Sequence, residues 1–240
     1  MAGMRMTVRR SAFGALVAGT ALLSACGDQP GDAAAPVSEA AATGSAPVTT
    51  DQLSDALLPA AAFGDDATVV GLSLEQLGAL PDLAGLPDGA TVQPALCGTA
   101  LTLASTLTGS GDDLPTLVAQ GAFTKDVRTL EVLADGPALD GLDLPVDQLL
   151  ATCSTVTVTA ADGTATTVSL STLDVPDLGD TATGLQVTVT HPGGTVSALV
   201  GVVGEGSRAL LLAQTGAAGA APDQAGFTGL LTRAADAAQD

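Results

Sequence analysis

The chain has no tryptophan, tyrosine, isoleucine or asparagine, and a single lysine, Lys125. Those residues are written mostly with A/T-rich codons, so their joint absence points to a GC-rich genome rather than to a function. The physical consequence is that only Phe63, Phe123 and Phe227 are aromatic beyond residue 25. The core must be built from Leu, Val and Ala, and an aromatic carbohydrate platform or a base-stacking surface is excluded. Positive charge is equally scarce. Of seven basic residues, Arg5, Arg9 and Arg10 lie near the N-terminus, while none of the 26 acidic residues precedes Cys26. From Cys26 onward 26 acids face four bases (Lys125, Arg128, Arg208, Arg233), a formal charge of −22. Phosphate backbones and anionic headgroups repel such a surface, so nucleic acid is not a partner; solubility is the plainer reading of the acidity.

The first 25 residues carry an address. Three arginines precede an uncharged run, Ala12 to Ala25. A basic start, a short apolar stretch and small residues before a cut make a secretory signal. The run is about 14 residues, whereas a membrane-spanning helix needs roughly 20. It ends in Leu23-Ser24-Ala25-Cys26, the form of a bacterial lipobox, so Cys26 is expected to become the lipid-bearing N-terminus. The alternative is an ordinary signal peptide with a chance cysteine. Residues 1–25 are thus read as a lipoprotein signal peptide and 26–50 as the acylated (palmitate-bearing) cysteine with a flexible tether. Ala, Gly, Pro, Ser and Thr dominate that tether, and as a random coil it reaches about 27 Å. The expected location is the extracytoplasmic face of the cell membrane, with the membrane itself as partner through Cys26.

With Cys26 in a thioether, Cys97 and Cys153 remain as one pair in an oxidising compartment, and a disulfide between them is expected. Two free buried thiols or a redox pair are the alternatives; nothing resembling C-x-x-C supports the latter.

Residues 51–240 are read as one domain. Thr49-x-x-Gln52 and Ser73-x-x-Gln76 have the form of capping boxes; the first opens a helix carrying Leu53, Ala56, Leu57 and Ala60, weakened by Pro59. The stretch LPDLAGLPDGATVQP is expected to be irregular. From Thr116 the period changes to two. TLVAQGAF and VRTLEVLA read as strands joined near Lys125-Asp126, and a helix is centred on Val146 to Ala151. STVTVTA and ATTVSLSTL flank Ala-Asp-Gly, a hairpin signal. Leu185-x-Val187-x-Val189, VSALVGVV and RALLLAQT continue the meander. Asp223 is a candidate cap for a final amphipathic helix with Phe227, Leu230, Leu231, Ala234 and Ala238 on one face. The expected fold is α+β: an antiparallel sheet of about six or seven strands, with N-terminal and C-terminal helices packed on it and one disulfide.

No chemistry of catalysis or metal binding emerges. Gly204-x-Gly206-x-x-Ala209 matches a dinucleotide fingerprint on paper, but a strand follows where that motif needs a helix, so it reads as a hairpin turn. His191 is the only histidine and precedes Pro192-Gly193-Gly194, which makes it a solvated turn residue before it is a catalytic base. One histidine and a bridged cysteine pair cannot assemble a usual zinc site. Asp65-Asp66, Asp112-Asp113 and the trio Asp140, Asp143 and Asp147 lack the spacing of a calcium loop and read as solvated acids. The expectation is therefore no catalytic residue, no metal and no cofactor.

The opening LLPAAAFG, the cysteine before a helix-like stretch and the second one in LLATCSTVTV belong to one layout. With LGDTATGLQVTVTHPGG and the closing FTGLLTRAADAA, it resembles the PknH-like extracellular sensor domain over roughly Asp51 to Ala238. In actinobacteria that domain lies outside transmembrane Ser/Thr kinases and also occurs as stand-alone lipoproteins. The resemblance implies an α+β domain with a cleft beside an antiparallel sheet and a ligand-sensing role. Two departures stand out: the kinase sensors usually hold two bridges, against the single pair here, and this chain carries no kinase segment, so any signal must pass through another protein. The leading expectation is a lipid-anchored envelope protein whose domain binds an unknown ligand or protein without catalysis. A carrier of an apolar envelope molecule in a Leu/Val-lined pocket is the alternative, and an envelope hydrolase a third.

Overall fold

The computed structural model describes residues 48–78, 86, 89–98, 115–141, 146–216 and 220–239. The expected signal peptide, Cys26, most of the expected tether, Asp112-Asp113 and Asp143 lie outside them. The described residues belong to one compact unit, Ala46–Asp240. In chain order they form α1 (Thr50–Asp55), a 3₁₀ turn (Ala60–Phe63), β1 (Thr68–Leu72), α2 (Leu74–Gly78) and β2 (Thr91–Gln93). There follow β3 (Thr116–Phe123), β4 (Val127–Asp135), a second 3₁₀ turn (Pro137–Leu139) and α3 (Val146–Cys153). The remainder is β5 (Thr155–Thr159), β6 (Ala165–Thr172), β7 (Thr181–His191), β8 (Gly194–Glu205), β9 (Arg208–Gly216) and α4 (Gln224–Gln239).

The strands make one antiparallel sheet of nine, ordered β1-β3-β4-β9-β8-β7-β6-β5-β2. The α+β class holds, and the strand count of six or seven is corrected to nine. The two extra strands sit at the edges. β1 pairs with β3, and the three-residue β2 pairs with β5 inside the stretch expected to be irregular. Each gains its structure from a distant partner rather than from its own pattern, because sheet stability resides in cross-strand pairs.

Both capping boxes form. Thr49 Oγ1 accepts from the Gln52 N–H at 3.4 Å, and Gln52 Oε1 accepts from the Thr49 N–H at 2.9 Å. Ser73 and Gln76 repeat the exchange at 3.2 and 2.8 Å. The first helix is shorter than its apolar spacing suggests. It stops at Asp55, and Ala60 already belongs to the 3₁₀ turn. Pro59 disfavours helical geometry at Leu58, and the backbone of Leu58 is claimed by side chains of the sheet, as described below.

Two cores lie on opposite faces of the sheet. On the first, α4 buries Phe227, Leu230, Leu231, Ala234, Ala235 and Ala238 against Leu199, Val203, Leu210 and Leu212, with Leu53 and Leu58 at the α1 end. Gly201 makes the closest approach possible: a Cβ there would stand 2.6 Å from Leu231 Cδ2. Arg208 ties the far end of α4 to the sheet. Its Nη1 donates to the Ala238 carbonyl and its Nε to Asp135 Oδ2 at 3.2 Å, placing a cation where the helix dipole is negative. The second core, among the described residues, consists of Cys97, Cys153 and Val156, with Val92, Leu149, Val158 and Val168 against them. Register puts it on the reverse face. Val168 pairs with Val189 and Val189 with Val196; Val196 shares the parity of Val200 and Val202, opposite to Leu199, Gly201 and Val203.

Candidate functional site

Across β3, β4 and β9 the α4-bearing face carries a polar stripe. Gln120 on β3 stands opposite Glu131 on β4, which stands opposite Leu212; one pair further along, Ala122, Thr129 and Gln214 are in line. Inward-facing polar residues on three adjacent strands need partners. Gln214 Nε2 donates to Thr129 Oγ1 at 3.3 Å. Glu131, 1% exposed, accepts from the Leu58 N–H at 3.2 and 3.4 Å and from Gln120 Nε2 at 2.6 Å. Gln120 Nε2 also donates to the Leu58 carbonyl at 2.8 Å. The two side chains thus grip both polar atoms of the Leu58 peptide and fasten the exit of α1 to the sheet.

No cation pairs with Glu131 among the described residues. Burial raises its pKa above the usual carboxylate value of 4.5, and the bonds from Gln120 and Leu58 oppose this less strongly. The folded protein therefore holds this proton over a range where the unfolded chain has released it. Stability from this group is fully present below pH 4.5 and is lost as pH rises toward the folded value. Glu131→Gln keeps a carbonyl acceptor without the charge. Urea unfolding from pH 4.5 to 7.5 should show the wild type losing stability with pH relative to this variant. Parallel curves would mean that Glu131 ionises without cost.

Beside this pair the sheet, the first 3₁₀ turn and the N-terminal half of α4 leave a cleft of about 240 Å³. Its apolar walls are Phe63, Ala122, Val127 and Leu230; Thr129 and Gln214 are at its base and Arg233 at its rim. Arg233 is exposed and donates from Nη2 to the Ala62 carbonyl at 3.3 Å. Asp223, at one end of the cleft, caps α4 as its sequence position suggests, accepting from the Ala225 and Gly226 N–H groups at 3.3 and 2.9 Å. A wider hollow of about 590 Å³ beside α3 is lined by Asp147 and Asp174 and, among the described residues, carries no histidine, cysteine or basic side chain.

The residues singled out from sequence do not gather here. Cys97 and Cys153 are bridged, with Cα atoms 5.7 Å apart, under α3 on the reverse face. His191 is exposed at the end of β7, where its Nδ1 accepts from the Gly193 N–H at 3.0 Å. The Gly204–Ala209 stretch spans the β8–β9 hairpin, not a strand–helix turn. No cluster of three potential metal ligands occurs among the described residues. The sequence reading passed over Gln120, Thr129, Glu131 and Gln214. Each lies at the inward parity of its strand, but so do Thr116, Asp135 and Arg208, and only register shows which of these positions come together under α4.

The fold is thus one long antiparallel sheet with its main helix and a small cleft on one face, and a disulfide-fastened helix on the other. It matches the crystal structure of the extracellular domain of PknH from Mycobacterium tuberculosis with a TM-score of 0.53 at 15% identity, covering 82% of this chain and 99% of that one. A putative uncharacterized protein from Mycobacterium smegmatis, the Rv0999 ortholog, aligns with a TM-score of 0.48 at 17% identity over 80% of this chain and 95% of that one. No protein-family model matches the chain, and no curated protein matches it.

Proposed function

We propose that the chain is a lipid-anchored protein of the cell envelope whose domain binds a ligand or a protein partner on the extracytoplasmic side and catalyses no reaction. The observation that carries this reading is a filled core beside a mixed cleft. Phe227, Leu231, Leu199 and Leu212 leave at most 1% of their surfaces exposed, so the space between the sheet and α4 holds no apolar cargo. The nearby cleft instead combines apolar walls with neutral polar groups, one arginine and one aspartate, Asp223. This separates the binding reading from the carrier reading. A hydrolase needs a nucleophile and a carboxylate within reach of the lone histidine; among the described residues His191 bonds only to its own turn. The shared fold with an extracellular domain supports the side of the membrane, and no described helix is long and apolar enough to cross a bilayer.

Native mass spectrometry of the protein purified from its own membrane tests the binding reading. A retained small molecule, or a cross-linked partner, is expected. The bare lipidated mass with no cross-linked species would end it. Anchoring has its own test. Cys26→Ala should move the protein from membrane to soluble fractions, because two acyl chains anchor stably where one is marginal. Full membrane retention of the variant would remove the anchor.

A further inference from the structure

The cleft under the first turns of α4 has an uneven stock of hydrogen bonds. Most of its polar atoms are already engaged. Both carboxylate oxygens of Asp223 accept from the helix N–H groups. Thr124 Oγ1 is held in its turn, donating to the Val127 carbonyl at 3.2 Å and accepting from the N–H groups of Asp126 and Val127 at 3.3 and 3.0 Å. The Gln214 amide donates to Thr129. What remains is two donors, on Arg233 and Thr129, beside the Gln214 carbonyl oxygen as an acceptor. Arg233 uses a single Nη2 bond, to Ala62, and its guanidinium has five N–H groups in a planar fork. The Thr129 hydroxyl accepts from Gln214 and keeps its own proton to give. Between these donors the walls are apolar, from Phe63, Val127 and Leu230.

From this arrangement we infer that the cleft is a binding site for a small monoanion with a short apolar body, a carboxylate of a few carbons being the simplest form. The inference rests on the ligand-binding reading above and names the ligand class. A guanidinium recognises a carboxylate through two parallel bonds, and the walls take the hydrocarbon. About 240 Å³ lies below the usual range for drug-sized ligands, roughly 300–1,000 Å³, which limits the occupant to a small molecule. The strongly acidic surface opposes an anion at long range, but beyond about 8 Å that field is screened at physiological salt. At short range the lining carries one cation, Arg233, and one anion, Asp223, whose oxygens are engaged by the N–H groups of Ala225 and Gly226; the Arg233 fork is the charge left to recognise a ligand. Arg233 is then a specificity-determining residue, and its exposure leaves it dispensable for folding.

The test uses three probes of one length, hexanoate, hexan-1-ol and hexylammonium, titrated into the full chain while the amide resonances of Ala62, Thr129 and Gly226 are followed. Hexanoate should shift these resonances most strongly. Arg233→Gln should weaken hexanoate binding about tenfold or more, and Thr129→Val should weaken it by less. Arg128→Gln, at an exposed position on the reverse face, should leave it unchanged. An equal response to hexan-1-ol or hexylammonium overturns the anion class while the binding reading stands. Unchanged hexanoate binding by Arg233→Gln overturns the role of the arginine. Silence of the cleft resonances toward all three probes overturns the site, and a ligand retained in the native mass spectrum would then have to sit elsewhere.

Discussion

Phe227→Ala should lower the unfolding free energy by about 3–5 kcal/mol, the range for removing a fully buried ring from a core that cannot close around the gap. Phe227 is 0% exposed and is the largest of the fully buried side chains. The other buried members of its cluster are Leu, Val and Ala, with Phe63 only partly buried against them, so the ring is the largest single piece of that core. Typical domains are stable by about 5–15 kcal/mol, so this single change removes roughly a fifth or more of what holds the fold. Arg233→Ala, on the exposed face of the same helix, should change stability by no more than about 0.5 kcal/mol. Urea unfolding of both variants decides the matter. Equal, small effects would show that α4 is a detached tail and that the folded domain ends near Thr215.

Loss of the Cys97–Cys153 bridge should cost about 2–5 kcal/mol. The cross-link joins positions 56 residues apart, and opening it frees the unfolded chain far more than the folded one. The folded state is also sensitive at this point. Among the described residues the reverse-face core has three buried members, two of which are the cysteines themselves. The edge strand β2 has three residues and a single strand neighbour, β5. Hydrogen exchange in Cys97→Ala should therefore rise first at Thr91–Gln93 and along β5, ahead of β8 and β9 at the sheet centre. Non-reducing peptide mapping checks the bridge itself. Two alkylatable thiols in the exported protein would refute it.

The parts of the fold legible in the sequence are those governed by local rules. Capping boxes at Thr49 and Ser73, the Ala-Asp-Gly turn, the Val/Thr alternation of β5 and β6 and the apolar stripe of α4 each act within a few residues. The parts that escaped depend on distant partners. β1, with Gly71 inside it, is a strand because β3 lies beside it. α1 ends where it does partly because Glu131 and Gln120, more than 60 positions away, take the polar atoms of Leu58. The candidate site escaped for the same reason. Thr129, Glu131 and Gln214 look like ordinary polar positions until register lines them up on one face.

The sequence by itself determined that strands alternate apolar and polar residues, that a helix with one apolar face closes the chain, and that one cysteine pair is free to bridge. A period of two separates the faces of each strand. It does not say which face a helix will cover, since that depends on how neighbouring strands are aligned. Only the tertiary structure placed α4 over Leu199 and Val203 and the disulfide over Val156 and Val168, on opposite sides of one sheet. It alone put Glu131 on the buried side, where desolvation raises its pKa and its hydrogen bonds hold the chain beside the cleft.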